Sequence, residues 1–292
     1  MILHKDLPFD RFYEPKHMAE VWDDMLGNFD RYFKTFAHTP VGLAAHFNKH
    51  ITEFLNEQES YQPILDIDFL YECDEDPGTY KNIFKAKYPI IRRCLNSRSK
   101  LMDGYRRDFY QTSSEDILNT AINIIEFAQE YIGTTTPKQQ AMAKTPEDLG
   151  VSILDEDGYG TSGVIGGGIR SAFLYHVDPG LFPNRNQGAI WAFYFLTDRK
   201  DYGFEDYSEF LMIDSADASR GTQQNYFYPY DLFTWYGLQL CLKLDEVCQP
   251  LGYTLLPTYR YVYLDAFLGH IARTHEVDIN TLRPQFDEQI YH

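Results

Sequence analysis

No stretch of this chain approaches the roughly 18 consecutive apolar residues that cross a bilayer, so no membrane span is expected. The opening "MILHKDLPFDRF" lacks a basic region followed by an apolar core. No secretory signal is read there, and a cytoplasmic location is expected. Cysteine is scarce: Cys73, Cys94, Cys241 and Cys248 are the only ones, with no CxxC spacing. That spacing excludes a disulfide scaffold and the common zinc frameworks and implies reduced core thiols. Positive charge is also in short supply. Lys and Arg number 26 against 43 Asp and Glu, a net charge of −17. Such a deficit argues against a nucleic-acid binder, since DNA affinity comes largely from neutralising phosphates.

Aromatic residues are abundant, with 23 Tyr and 21 Phe. At 292 residues and 44% hydrophobic, the chain can bury a sizeable core as one large domain or two modest ones. Periodicity points to a mostly α fold. Between Met18 and Phe36 the apolar residues Val21, Trp22, Met25, Leu26, Phe29, Tyr32, Phe33 and Phe36 recur at helical spacing. "TPVGLAAHFNKHITEFLNE" follows, with Thr39 placed to cap and Pro40 at a first helical position. "SSEDILNTAINIIEFAQEYIG" opens on a Ser-x-x-Asp capping signal and ends at Gly133. Helices are also expected around Ala189–Leu196, Tyr230–Val247 and Tyr259–His275. "PILDIDFLYECDEDPG" reads as a strand or an extended connector. The polar segment 134–150 is the expected boundary between a helical N-terminal region, 1–133, and a second helical region, 151–292. The chain has no internal repeat and no alternation of strands with helices, so a parallel α/β architecture is excluded.

The cations are not evenly spread. From Lys81 to Asp108 the chain carries nine Lys and Arg, among them Arg92, Arg93, Arg98 and Lys100, against only Asp103 and Asp108. A basic segment inside an acidic chain either complements its own acidic neighbours or meets an anionic partner.

The run "VIGGGIRSAFLYH" sets Gly166, Gly167 and Gly168 directly before an apolar segment. A P-loop needs Gly-Lys-Ser/Thr, but Ile169-Arg170 follow. A dinucleotide turn needs a third glycine after a buried strand, and neither is present. A hairpin pattern fits: apolar Ile165, then Gly166-x-Gly168, then the small pair Ser171-Ala172. Downstream, "DPGLFPNRNQGAIWAF" places Pro179, Phe182, Pro183, Asn186, Ala189 and Trp191 at regular positions. Over residues 163–193 the sequence resembles the helix-hairpin-helix DNA glycosylase superfamily, and most closely its uncharacterised bacterial relatives. The resemblance implies a glycosylase-like core in which Gly166, Gly168, Arg170 and Ser171 meet a DNA phosphate backbone, with Arg92, Arg93, Arg98 and Lys100 adding charge. It also implies lost catalysis. Asn186 stands where active members carry the Asp that stabilises charge at the sugar carbon, and Arg170 where the lyases carry a nucleophilic Lys. No cofactor is implied.

Other constellations are weaker. His46 and His50, with Glu53, share helical spacing suited to a metal but lack the HExxH glutamate and a second cluster. Asp66 and Asp68 could hold a divalent metal at a strand end, which is one reading of the chain as an enzyme. "LDEDGYG" lacks the rest of a calcium loop. The aromatic run 225–236 could stack on bases, anchor an interface or fill the core. A further reading of the −17 charge is an acidic adaptor, inhibitor or antitoxin-like partner that occupies a basic protein.

Overall fold

The computed structural model describes residues 9–38, 40–98, 102–204, 208–213 and 222–282, and they form a mostly α fold. The helices in chain order are α1 (Phe9–Phe12), α2 (Pro15–Phe36), α3 (Pro40–Tyr61), α4 (Ile67–Glu72), α5 (Pro77–Lys87), α6 (Pro89–Asn96) and α7 (Asp103–Gln111). There follow α8 (Ser114–Thr134), α9 (Pro137–Gln140), α10 (Gly167–Val177) and α11 (Gln187–Leu196). A short antiparallel pair, β1 (Leu211–Ile213) and β2 (Thr222–Gln224), then precedes α12 (Tyr230–Cys248), α13 (Arg260–Thr274) and α14 (Glu276–Leu282). The chain divides into two compact units, one of residues 1–45, 187–228 and 265–292, the other of 46–186 and 229–264.

In the first unit α2 buries Val21, Met25, Phe29, Tyr32 and Phe36 along one stripe, as the 3.6-residue period demands. The Phe29 and Phe36 rings meet Phe267 of α13 at 5.2 and 5.6 Å. α11 is apolar on every side and buries Ala189 through Phe193, Phe195 and Leu196. The β1–β2 pair, in register Leu211 to Gln224, lies against α11. Just before β1, the carboxylate of Glu209 is fully buried. It accepts a hydrogen bond from the Tyr228 hydroxyl at 2.6 Å and faces His17 Nε2 at 2.7 Å, so the charge is not left unpaired.

In the second unit α8 is the central helix, with α4, α5 and α10 against it. Its buried stripe is Ile117, Leu118, Ala121, Ile124, Ile125 and Ala128. The expected capping signal forms, because Ser113 accepts from the Asp116 amide at 2.9 Å. Pro40 opens α3 as its spacing suggested, while Thr39 lies outside the described residues. Two expectations fail here. "PILDIDFLYECDEDPG" is helical, because Asp66 accepts from the Phe69 amide at 3.0 Å and so starts α4 instead of alternating along a strand. The polar segment 134–150 lies inside the second unit, and the divisions fall within α3 and α13 and just before α11 and α12. Its polar groups serve the interior. Gln140, 3% exposed, donates to Tyr131 Oη and Leu181 O, both at 3.0 Å, and accepts from Tyr261 and Arg260.

Ser113→Ala removes the side-chain acceptor that caps α8. It should cost about 1 kcal/mol, read as a lower urea midpoint with an unchanged slope. An unshifted midpoint would show that α8 is held by its packing alone.

Candidate functional site

The glycine run forms the start of α10. Gly166 is the N-cap residue, exposed and with no side chain to cap the helix. The amides of Gly167 and Gly168 have no intrahelical acceptor and make no hydrogen bond among the described residues. The positive end of the helix dipole therefore opens on exposed backbone, an arrangement that favours an anion. The chain enters α10 from a 3-10 turn, Ser152–Asp155, and a loop closed by a Thr161–Ile165 bridge. The hairpin resemblance implies a helix on each side of the glycines, and the structure places one only after them.

Arg170 and Ser171 do not face solvent. α10 is buried from Ile169 to His176, and Arg170 is 7% exposed. Its guanidinium pairs with Asp155 and donates to Tyr159 O at 3.4 Å. The other Asp155 oxygen accepts from the Tyr230 amide at 2.6 Å, at the start of α12. One carboxylate thus pairs with a buried arginine and accepts from a helix N-terminus. Ser171 accepts from the Arg185 amide and donates to Gly168 O, each at 3.0 Å. Gly167 lets the Arg185 guanidinium approach closely, since a Cβ there would make it shift. The expected phosphate contacts through Arg170 and Ser171 are therefore corrected: both side chains are used to hold the corner together. Gly166, Gly167 and Gly168 remain available as backbone donors.

The basic segment flanks this corner. Gly163, at φ +72°, lies against Asp108 of α7, whose carboxylate would be 2.6 Å from a Cβ at that glycine. The outward face of α6 carries Arg92, Arg93 and Asn96, while Ile91 is buried. Lys85, Lys87, Arg98 and Arg107 are also exposed. Some of these charges are already engaged: Arg93 lies 3.8 Å from Glu57, and Arg107 pairs with Asp108 at 3.1 Å. Lys85 sits 5.0 Å above the ring of Tyr110, which is itself exposed. Lys87, Arg92 and Arg98 form no ion pair among the described residues. Lys100 lies outside them.

The remaining candidates separate from this surface. Asn186 is half-buried, just before α11. Asp178, the nearest acid in sequence to Asn186, accepts from the Gly180 amide at 2.7 Å. Burial raises its carboxyl above the ordinary Asp range, and the Gly180 and Leu181 amides oppose that rise. His50 pairs with Glu53 at 3.5 Å, and His46 is exposed. No group of three or more His, Cys, Asp or Glu side chains among the described residues could hold a metal ion. Asp66 is used as a cap and Asp68 sits in the following turn, so the strand-end metal geometry does not form. In the aromatic run Tyr228, Tyr230, Phe233 and Tyr236 fill the interior, leaving Tyr226 and Phe227 exposed. No described helix is long and apolar enough to cross a membrane. Sequence reasoning missed Asp155 and Arg185. The signal for Asp155 was the acidic turn before the glycines, which resembled a weak calcium loop. No protein-family profile, no curated protein and no solved structure matches the chain.

Asp155→Ala strands the Arg170 guanidinium in the interior. The cost should be about 2–4 kcal/mol, at the lower end because Asp155 is 35% exposed, measured by chemical denaturation. A loss below about 0.5 kcal/mol would remove Asp155 as the organiser of this corner. A carboxyl whose pKa is raised by folding holds its proton more tightly when folded, so ionising it lowers stability as pH rises. Asp178→Asn keeps an acceptor for the Gly180 amide and removes that ionisation. Its stability relative to the native chain should therefore improve as pH rises through and beyond the ordinary Asp range. A difference that does not vary with pH contradicts the assigned burial effect.

Proposed function

We propose that this chain associates with nucleic acid through the phosphate backbone, using the basic face of α5–α7 and the open N-terminus of α10. The observation that carries the reading is the set of exposed cations Lys87, Arg92 and Arg98, which have no ion-pair partner among the described residues of a chain with net charge −17. Cations spent on internal complementarity would be paired, as Arg93 and Arg107 are. The adjacent Lys85–Tyr110 pair adds an exposed ring on which a base could stack. Phosphate contacts of this kind position a protein on nucleic acid without reading its sequence.

Base-excision chemistry is not part of the reading. Asn186 cannot ionise, and the Arg170 guanidinium is bound to Asp155 inside the fold, where it cannot form a Schiff base. The glycine corner contributes backbone amides only.

Fluorescence anisotropy on a labelled duplex tests the proposal. With three phosphates neutralised, affinity should fall roughly forty-fold between about 50 and 200 mM monovalent salt. The triple variant Lys87→Gln, Arg92→Gln, Arg98→Gln should lose most of that affinity and flatten the salt slope. Absence of binding at about 50 mM salt, or an unchanged slope in the triple variant, would refute it. Co-purification of a basic protein in that case would favour the acidic-adaptor reading.

A further inference from the structure

A second cluster of reactive side chains belongs to the first unit. Tyr32 of α2 is buried, and its hydroxyl lies 2.8 Å from His275 Nε2. His275 Nδ1 lies 2.9 Å from Asp278 Oδ2. A carboxylate can only accept, so Nδ1 carries a proton, and Nε2 lies within hydrogen-bond reach of the Tyr32 hydroxyl, which also donates to Phe195 O at 3.3 Å. The order is carboxylate, imidazole, hydroxyl, each within hydrogen-bond reach of the next, which is the arrangement that activates a hydroxyl nucleophile. The imidazole plane is fixed by stacking on Phe195, with centroids 3.9 Å apart and planes 8° from parallel.

Two guanidinium groups flank the relay. Arg31 donates to the Tyr32 oxygen at 2.9 Å and lies over its ring at 4.7 Å. Arg199 donates to Asp278 at 2.6 Å. Both arginines are about half exposed, and the second partner of Arg31, Asp198, is a loose exposed contact at 3.6 Å. Asp198 and Arg199 adopt φ of +51° and +62°, a left-handed conformation that L side chains rarely hold in succession. That turn brings both side chains to the relay.

We propose that Tyr32 is the nucleophile of a phosphodiester-transfer site, with His275 as its base, Asp278 as the positioning carboxylate and Arg31 and Arg199 as the phosphate clamp. The Tyr32 proton passes to His275 Nε2 as the phenolic oxygen forms a bond to phosphorus. The bond from phosphorus to the leaving oxygen, in line with and opposite the attacking one, breaks; that oxygen takes its proton from water, and the proton on His275 passes to solvent. The products are a phosphotyrosyl diester and an alcohol, with no oxidant or metal required by the balance. Water or another alcohol then releases the phosphoryl group by the reverse route. Arg31, now on the phenolic oxygen and Asp198, shifts onto a non-bridging phosphate oxygen. Two cations beside a nucleophilic hydroxyl select a phosphate over a carbonyl substrate. That the diester belongs to nucleic acid rests on the reading above; the chemistry at Tyr32 does not.

Burial holds the Tyr32 hydroxyl above the ordinary phenol range, with Arg31 opposing, so the group is neutral until His275 takes its proton. The hydrogen bond from His275 holds the Asp278 carboxyl below its usual range, so the positioning group stays ionised.

The full chain should be incubated with bis(p-nitrophenyl) phosphate, which needs no nucleic-acid binding. A burst of one p-nitrophenolate per chain is expected, with the p-nitrophenylphosphoryl group mapped by mass spectrometry to the tryptic peptide carrying Tyr32. Tyr32→Phe, which keeps the ring and its contacts, should abolish both. His275→Gln should slow the burst by about 10²–10⁴-fold. Asp278→Asn should slow it with an altered pH profile, and Asp278→Glu should restore part of the rate. The proposal is overturned if the wild-type chain yields no adduct, or if the adduct maps elsewhere. A Tyr32→Phe variant that melts normally and still gives the burst is equally fatal. Because the adduct is mapped on the wild-type chain, the test stands even if a variant fails to fold.

Discussion

Arg170 enters an apolar helix carrying a charge that the interior cannot leave alone, and Asp155 is what makes its burial tolerable. The same carboxylate meets the first free amide of α12, so the α10 corner and the α12 N-terminus are set by one group. The Arg185 guanidinium lies against Gly167, in the space a Cβ there would fill, so a side chain at that position would make the guanidinium shift. Ser171 completes the lock by accepting from the Arg185 amide. A buried ion pair of this kind adds little stability over an apolar substitute, yet removing one partner is expensive. Its contribution is to specify one arrangement of helices among several that an aromatic core would tolerate.

The helices were legible where local signals were strong. The stripe of α2, the Ser113 cap of α8 and Pro40 at the start of α3 follow from propensity, spacing and capping chemistry, all of which act within a few residues. The failures have one physical origin. Asp66 and Asp68 alternate like residues of a strand, but Asp66 is a cap, and only its hydrogen bond to the Phe69 amide reveals that. Residues 134–150 look like a solvated linker because they are polar, yet Gln140 meets Leu181, Arg260 and Tyr261 from distant parts of the chain as well as the nearby Tyr131. Arg170 was read as a surface cation because nothing in "GGGIRSAF" announces Asp155. The Tyr32–His275–Asp278 arrangement joins residues separated by more than two hundred positions, with no motif to mark it. Partners brought together by tertiary structure leave no periodic trace.

The uneven charge of the chain takes on a definite form in three dimensions. Some cations are neutralised by neighbours: Lys200 bridges Glu20 and Asp24, and Arg199 meets Asp278. The bare cations on α5, α6 and the residues just after α6 stand out by falling within one short segment of the chain. A strongly acidic remainder also has an electrostatic effect. It repels nucleic acid elsewhere on the molecule, so an anionic partner would be admitted in few orientations.

The two units are woven from alternating lengths of chain, and this sets an order on their making. As residues emerge from the ribosome, those up to 45 must wait for 187–228 and then for 265–282 before their unit is complete. The stretch 46–186 can begin to condense around α8 much sooner, but it lacks α12 until residues 230–248 appear. Neither unit can be released by a single proteolytic cut or produced as a contiguous fragment. The first unit therefore folds only after the second has been started, and it is complete only once α13, which carries Phe267, has been made.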